Sequence, residues 1–181
     1  MGYERQHEVV RDCTLTFAHI LRTYLPPRLD QKPVECIFDL PDPAQIDAVA
    51  AEGKVLVSIV LIETLRSSHQ KIEEPIVREE DTEGNIVEFR LGSPTMICPR
   101  YMITACCKDQ LESQVVQGLI MQLFFDHPEF LPDDVQGESI HGEERAPIHF
   151  DDKFRYQDQI AVWQGFGKPF RASLMYSVEV R

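Results

Sequence analysis

The chain has 181 residues, 43% of them hydrophobic, and its 30 acidic against 18 basic residues give a formal charge of -12. A chain of this length and apolar content can bury a core and is too hydrophobic to be disordered. Its acidity argues against general binding to nucleic acid or to an anionic membrane, which requires a basic surface. We therefore expect a single domain over residues 1–181 and no nucleic-acid partner.

Two segments carry the negative charge. Residues 73–90 have a net charge of -5 and residues 126–152 a net charge of -8, which leaves +1 for the remainder. No apolar run approaches the 18 residues of a membrane-spanning helix, and the polar N-terminal residues lack the apolar stretch of a signal peptide. The odd number of cysteines, five, then indicates reduced thiols in a protein assembled in the cytoplasm, with no direct membrane insertion.

The first third of the chain predicts a helix and two strands. Apolar residues at helical spacing indicate an amphipathic helix over residues 3–25, ended by the two prolines that follow. Residues 34–40 predict a short strand, and residues 43–52 are ambiguous, with room for a helical turn. The β-branched run in residues 54–65 predicts a strand covered on both faces, which we place at the centre of a sheet.

Residues 76–80 and 86–91 flank a loop that contains Gly84, a pattern typical of a β-hairpin. Because its flanks are strongly charged, we expect this hairpin to project beyond the compact body. Residues 95–107 predict the next strand, and Pro99 indicates an edge position or a bulge near its start.

The second half predicts two helices and a final strand. Asp109 has the position of an N-cap, with Glu112 as its capping-box partner, for a helix over residues 110–125 that is apolar around much of its circumference. We expect such a helix to be largely buried or to lie at an interface. Residues 131–152 show no clear periodicity, residues 156–164 predict a short helix, and residues 170–181 alternate as a strand with one buried and one mostly solvated face. Together the elements predict an α+β domain, with a mixed β-sheet and helices packed on one face.

No catalytic or metal-binding pattern stands out. Adjacent Cys106 and Cys107 would point to opposite faces of a strand and could not both hold one ion. Two alternatives stay open: a zinc site, and a nucleophilic pair of Cys107 with His127. The zinc ligands would be Cys98, His127, His141 and His149. Structural thiols explain the cysteines more simply, and solvated surface explains the paired acids of residues 133–152, so we predict no cofactor and no enzyme activity.

Two segments carry a resemblance to a known family. They are His127-Pro128 to Leu131-Pro132, which follows the second long helix, and residues 163–178, WQGFGKPFRASLMYSV. With the order of the helices and strands, they resemble the N-terminal domain of the cap, or tail-terminator, proteins of phage-tail-like contractile injection systems. The resemblance covers nearly the whole chain. Ala172 stands where members often have a proline, and some members carry a further C-terminal domain, whose role we expect to be missing here or supplied by another subunit.

The resemblance implies a structural protein with a tail-terminator-like fold. Such caps form rings, usually hexameric, that sit on the last ring of the inner tube and touch the end of the sheath. It therefore implies three partners: further copies of the chain, the inner-tube protein and the sheath protein of the particle. The alternatives are a baseplate or adaptor component of such a particle, or a small-molecule-binding enzyme.

The two acidic segments are the predicted interaction surfaces. We expect the hairpin to reach a neighbouring subunit or the sheath, and one acidic segment to line the channel of the ring. The candidate interaction residues are Arg78, Glu79, Glu80, Asp81, Glu83, Glu88, Asp133, Asp134, Glu143 and Glu144. The Met and aromatic residues of the segment 121–130 fit a core or a partner-binding surface, because an obligate interface resembles a core.

Overall fold

The structure, a computed structural model, describes residues 6–66, 76–80, 86–90, 96–140 and 146–180. The helices are α1 (Val9–Tyr24), α2 (Pro43–Ala51), α3 (Gln110–Asp126) and α4 (Tyr156–Gly165). The strands are β1 (Val34–Ile37), β2 (Val55–Arg66), β3 (Ile76–Glu80), β4 (Ile86–Arg90), β5 (Ile97–Cys106), β6 (Glu129–Phe130), β7 (Ala146–Phe150) and β8 (Leu174–Val178). Short 3₁₀ turns precede α1 at Gln6–Glu8 and follow it at Pro26–Arg28, where the two prolines end the helix as predicted.

Six strands form one mixed sheet in the order β1-β2-β5-β8-β7-β6. β1 runs parallel to β2, and the other neighbours are antiparallel, so the predicted mixed sheet is confirmed. β2 is an interior strand, second from one edge. Its first half, residues 55–60, is buried on both faces as predicted, whereas residues 61–66 are mostly exposed.

Helices cover both faces of this sheet. The two long helices, α1 and α3, share one face, where the ring of Phe17 packs against Tyr101, Phe124 and Phe130 at centroid distances of 5.0–5.5 Å. On the opposite face, α2 packs against Leu56, and Trp163 of α4 packs on the strands. The sequence predicted helices on one face only, whereas in the structure the long helices pack on one face and the short helices pack on the other.

Three strand predictions differ from the structure. β5 lies between β2 and β8, so Pro99 is not at an edge, and the irregularity is a register shift in β2 between Leu61 and Glu63. The second face of β8 is buried rather than solvated, because Trp163 covers it around Met175. β7 forms in a segment without periodicity because its backbone pairs with β6 and β8.

The predicted cap of α3 and the predicted hairpin are both present in the structure. Asp109 caps α3, since its side chain accepts a hydrogen bond from the backbone N–H of Leu111 at 3.2 Å. The predicted capping partner, Glu112, forms an ion pair with Lys32 at 2.8 Å. β3 and β4 pair as an antiparallel two-stranded sheet, which confirms the hairpin, but its loop lies outside the described residues and its projection stays a prediction.

All five cysteines are free thiols. Cys106 packs with the residues under α2 and Cys107 with the core under α1 and α3, so the two point to opposite faces as predicted. Within the ranges that the structure describes, no helix is both long and apolar enough to cross a membrane.

Candidate interaction surfaces

The outward side of α3 exposes apolar side chains. Phe125 is 85% exposed, Leu111 68%, Val115 61% and Met121 45%, whereas the inward residues Val116 and Ile120 of the same helix are fully buried. Apart from Asp126, its last residue, the exposed positions of α3 are all uncharged. We call seven of these positions the α3 face: Leu111, Gln114, Val115, Gly118, Met121, Gln122 and Phe125.

Ion pairs lie at both ends of this surface. Near the first turn of α3, Glu112 pairs with Lys32 at 2.8 Å, and at the last residue Asp126 pairs with Arg28, also at 2.8 Å. Both cations come from the segment that follows α1. The α3 face is therefore an uncharged strip bounded by charges that already have partners.

The acidic segment after α3 is docked on α1. The carboxylate of Asp12 is fully buried: its Oδ2 accepts hydrogen bonds from the backbone N–H and the hydroxyl of Ser139, and its Oδ1 accepts two from Arg11, at 2.7 and 2.9 Å. Burial acts to raise the pKa of Asp12, but these hydrogen bonds outweigh it and hold the pKa below its ordinary value. The segment reaches the carboxylate because Gly137 lies against it, at a φ of +97° that favours glycine.

The predicted acidic residues of this segment differ in burial. Asp134 is buried and accepts a hydrogen bond from the Tyr24 hydroxyl at 2.8 Å, which raises the pKa of Tyr24. Its side chain therefore faces inward and does not belong to an acidic outer surface. Asp133 is exposed. Glu143 and Glu144 lie outside the described residues.

The hairpin places one pair of oppositely charged residues across from each other. Its register sets Arg78 opposite Glu88, Glu79 opposite Val87 and Glu80 opposite Ile86. Asp81 and Glu83 fall in its loop, outside the described residues. The structure thus brings the strand members of the predicted site together along one short ladder.

An open cleft of about 940 Å³ lies on the sheet face that carries α4. Arg100 stands within it, forms ion pairs with Glu63 and Asp151, and lies over the Phe154 ring at 5.8 Å from the centroid. These contacts tie the segment after β7 to β2 and β5. The two carboxylates neutralise the guanidinium of Arg100, which therefore belongs to an internal ion-pair network and is not free to bind an anion.

The nucleophilic pair is not assembled. Cys107 precedes α3 and His127 follows it, so a helix of 17 residues, about 25 Å, separates them. Burial raises the pKa of the Cys107 thiol, the opposite of what activates a nucleophile. The ring of His127 packs on Tyr24 at a centroid distance of 4.7 Å.

The zinc alternative finds no support in the described part of the chain. Cys98 and His149 line the cleft, His127 stacks on Tyr24 well outside its lining, and His141 is not described. Among the described residues, no group of three or more His, Cys, Asp or Glu side chains is arranged to hold a metal ion.

The sequence predicted an apolar helix but did not show which side of it is exposed as the α3 face. The apolar circumference of α3 indicated a buried helix or an interface, and the structure shows a helix with one buried side and apolar side chains exposed on the other. The sequence does contain a signal for this exposed side. Although the chain has a charge of -12, the helix carries no charged residue between Glu112 and Asp126.

The sequence and the fold of this chain are both similar to those of known proteins. A family model described as the Pvc16 N-terminal domain matches residues 12–181. The cryo-EM structure of a PVC sheath/tube terminator, from an extracellular contractile injection system in the extended state, has a TM-score of 0.55 and 20% identity, over 98% of this chain and 55% of that one. The tube-terminating cap of the anti-feeding prophage has a TM-score of 0.58 and 18% identity, over 91% of this chain and 51% of that one.

No curated protein matches the sequence. The chain spans about half the length of the two solved chains, and at these identities the likeness concerns the fold. The tail-terminator-like fold expected from the sequence is confirmed.

Proposed function

Because this chain belongs to the Pvc16 N-terminal domain family, we propose that it is the terminator domain of a contractile injection system, a phage-tail-like particle. Copies of the chain form a hexameric ring that caps the inner tube and holds the end of the sheath to it. The observation that carries the proposal is the fold, which matches a sheath/tube terminator over 98% of the chain and a tube-terminating cap over 91%. The protein then works as a structural component without a cofactor, not as an enzyme.

A cap of this kind must end a polymer. A tube of stacked identical rings exposes, at its last ring, the same contact surface that would bind another ring. A terminator covers that surface and presents a different one, which stops growth. A closed ring of copies follows from a head-to-tail contact whose rotation returns to the start after a fixed number of subunits.

The described fold suits this work because the sheet is helix-covered on both sides. α1 and α3 cover one face, and α2 and α4 pack against parts of the other. A body packed in this way is stiff, since its core side chains interdigitate at crystal-like density. It can therefore transmit force between the tube and the sheath during contraction.

The acidic segments supply two further contacts in this proposal. The hairpin of β3 and β4 reaches a neighbouring subunit or the sheath through Arg78, Glu79, Glu80 and Glu88, with Asp81 and Glu83 in its loop. Asp133, Glu143 and Glu144 line the channel, where like charge repels anionic cargo. Asp134 is left out because its side chain is buried.

Imaging of intact particles tests the proposal. The chain carries a small electron-dense tag, and a matched preparation carries the same tag on the inner-tube protein as a control for labelling along the whole tube. We expect density on the chain at the end opposite the baseplate, and sheaths of uncontrolled length when the chain is deleted. Density at the baseplate end would establish the adaptor alternative and reject the cap.

The channel residues have a separate test. Replacing Asp133, Glu143 and Glu144 together by Asn and Gln should change the binding of anionic cargo while rings keep their thermal stability. If these residues lie on the outer rim of imaged rings, the channel assignment is wrong and the cap function is unaffected.

A further inference from the structure

We propose that the α3 face binds a second copy of this chain and forms the contact between neighbouring subunits of the ring. This inference rests on the proposed function and deepens it, since it names the surface and the partner that close the ring. The hairpin and the acidic segments, which the sequence singled out, then make further contacts of their own.

The first argument is exposure. Phe125, Leu111 and Val115 are each more than half exposed and lie along the same side of one helix. Exposed apolar side chains that cluster on one side of a helix, rather than lying scattered over the surface, are typical of interaction sites. A helix that is apolar on both sides belongs either in a core or between subunits.

The second argument is the distribution of charge. Copies of a chain with charge -12 repel one another, so a contact with an uncharged centre is favoured between them. The α3 face is uncharged over its seven exposed positions, and the neighbouring Glu112 and Asp126 are held by Lys32 and Arg28. A foreign partner with basic surface would instead be drawn to the acidic segments. The strip therefore fits a copy of this chain better than a charge-complementary protein.

The third argument is size. A helix of 17 residues is about 25 Å long and about 10 Å wide, so its face covers roughly 250 Å². A stable interface buries about 800 Å² on each partner, so this strip supplies the apolar centre of a contact but not a tight pair. Such a contact suits a closed ring, where each copy is held on two sides. The contact is head-to-tail, because pairing the same face on both copies would close a dimer.

Gly118 allows a sharp test of this contact. It lies in the middle of the α3 face, and a Cβ added there meets nothing within 4 Å. In the isolated chain, Gly118→Lys should therefore fit and favour the helix, because glycine is a poor helix former. In a ring it would put a charge at the centre of the contact.

The matched control is Gly165→Lys. Gly165 ends α4, a Cβ added there also meets nothing within 4 Å, and α4 covers the opposite face of the sheet. The two variants share the same exchange, the same added charge and the same freedom from steric conflict. Both should unfold at or above the temperature of the unmodified chain, which separates an interface effect from a folding defect.

The variants are compared by electron microscopy of purified inner tubes and by light scattering of the chain alone. We expect rings on tube ends for the unmodified chain and for Gly165→Lys, and at least a tenfold loss of ring occupancy for Gly118→Lys. If Gly118→Lys forms rings as well as the control, the α3 contact is wrong while the cap function stands. If the unmodified chain caps no tube, the cap function itself is wrong.

A photo-crosslinking amino acid in place of Phe125 identifies the occupant directly. Irradiation followed by mass spectrometry should join position 125 to another copy of the chain, both on tubes and in concentrated solution. Crosslinks to the inner-tube or sheath protein, or none at all, would overturn the inference even where rings are seen. The copy-to-copy product is expected to disappear when Gly118→Lys is added.

Discussion

The carboxylate of Asp12 accepts two hydrogen bonds from Ser139, one from its backbone N–H and one from its hydroxyl, across 127 residues of sequence. Asp12 is fully buried on α1, and Arg11 beside it supplies the compensating charge. A buried carboxylate is tolerated only when it is paired and hydrogen-bonded, and here Arg11 of the same helix supplies the pair while the acidic segment supplies the other donors. Together with the bond from Tyr24 to Asp134, these contacts fix the path of a segment that has little regular structure.

Replacing Asp12 by Ala should destabilise the fold by about 3 kcal/mol, because it leaves the buried donors of Ser139 without an acceptor and removes one of the two carboxylates that pair with Arg11. Urea unfolding measures the change. Asp133→Ala is the matched control, since Asp133 is an exposed acid of the docked segment and its loss should cost less than about 0.5 kcal/mol. Equal midpoints for the two variants would show that the Asp12 contacts contribute nothing.

The same carboxylate predicts a dependence on pH. Its pKa in the folded chain lies below the ordinary value of 3.8, so its contribution to stability is fully present above that value and is lost as the pH falls through the folded pKa. The difference in free energy of unfolding between the unmodified chain and Asp12→Asn should be constant from pH 7 to about pH 4 and shrink below it. Urea titrations at half-unit steps test this, and a difference that grows on acidification would reverse the assigned sign.

Gly137 should not tolerate a side chain. Its φ is +97°, and a Cβ would stand 2.2 Å from the Asp12 carboxyl group. Gly137→Ala should therefore cost about 3 kcal/mol or force the segment off α1. Gly53→Ala is the control, since Gly53 has a φ of +72° with nothing within 4 Å, so it should show the backbone cost alone, about 1 kcal/mol. Thermal unfolding and hydrogen exchange of residues 134–140 report the two effects, and equal losses would contradict the clash.

Trp163 should dominate the stability of the α4 layer. It is 1% exposed, and its indole N–H donates to the Ser173 hydroxyl at 3.3 Å, which also accepts from Thr104. Trp163→Ala should cost about 4 kcal/mol, whereas Tyr156→Ala, on the same helix but 64% exposed, should cost less than about 1 kcal/mol. As the chain has one tryptophan, its fluorescence should shift to the red on unfolding. Comparable losses in the two variants would place the α4 contact elsewhere.

The hairpin contact can be removed without touching the sheet. Deleting residues 79–86 should leave a folded chain, since β3 and β4 pair only with each other in the described structure. It should abolish docking on tubes or the order of the ring, as seen by electron microscopy, while circular dichroism and the unfolding temperature of the body stay unchanged. Particles that assemble normally with this deletion would remove the hairpin from the interaction surface.

Elements with a strong local pattern could be predicted from the sequence. The 3.6-residue period of α1, the prolines after it, the cap at Asp109 and the hairpin pairing of β3 with β4 are set by neighbouring residues, and the structure has all of them. β7 could not be predicted in this way. Residues 146–150 are a strand because β6 and β8 supply their hydrogen bonds from elsewhere in the chain.

In the candidate site, too, some features could be predicted from the local sequence and others depend on distant residues. The charge of residues 73–90 is visible in the sequence, but the inward turn of Asp134 depends on Tyr24, which is 110 residues away. The buried second face of β8 likewise depends on Trp163 of α4. No local pattern around either residue encodes its distant partner.

By itself, the sequence determined the class of the domain, because the order of helix and strand patterns can be read along the chain, and its segments 127–132 and 163–178 carried the resemblance to the family. Only the tertiary structure decided which apolar side chains face water. Val115 and Val116 are identical and adjacent, yet the first is 61% exposed and the second fully buried. Burial is a property of the surfaces that meet, and α3 meets the core along one side only, which leaves the other side for a partner.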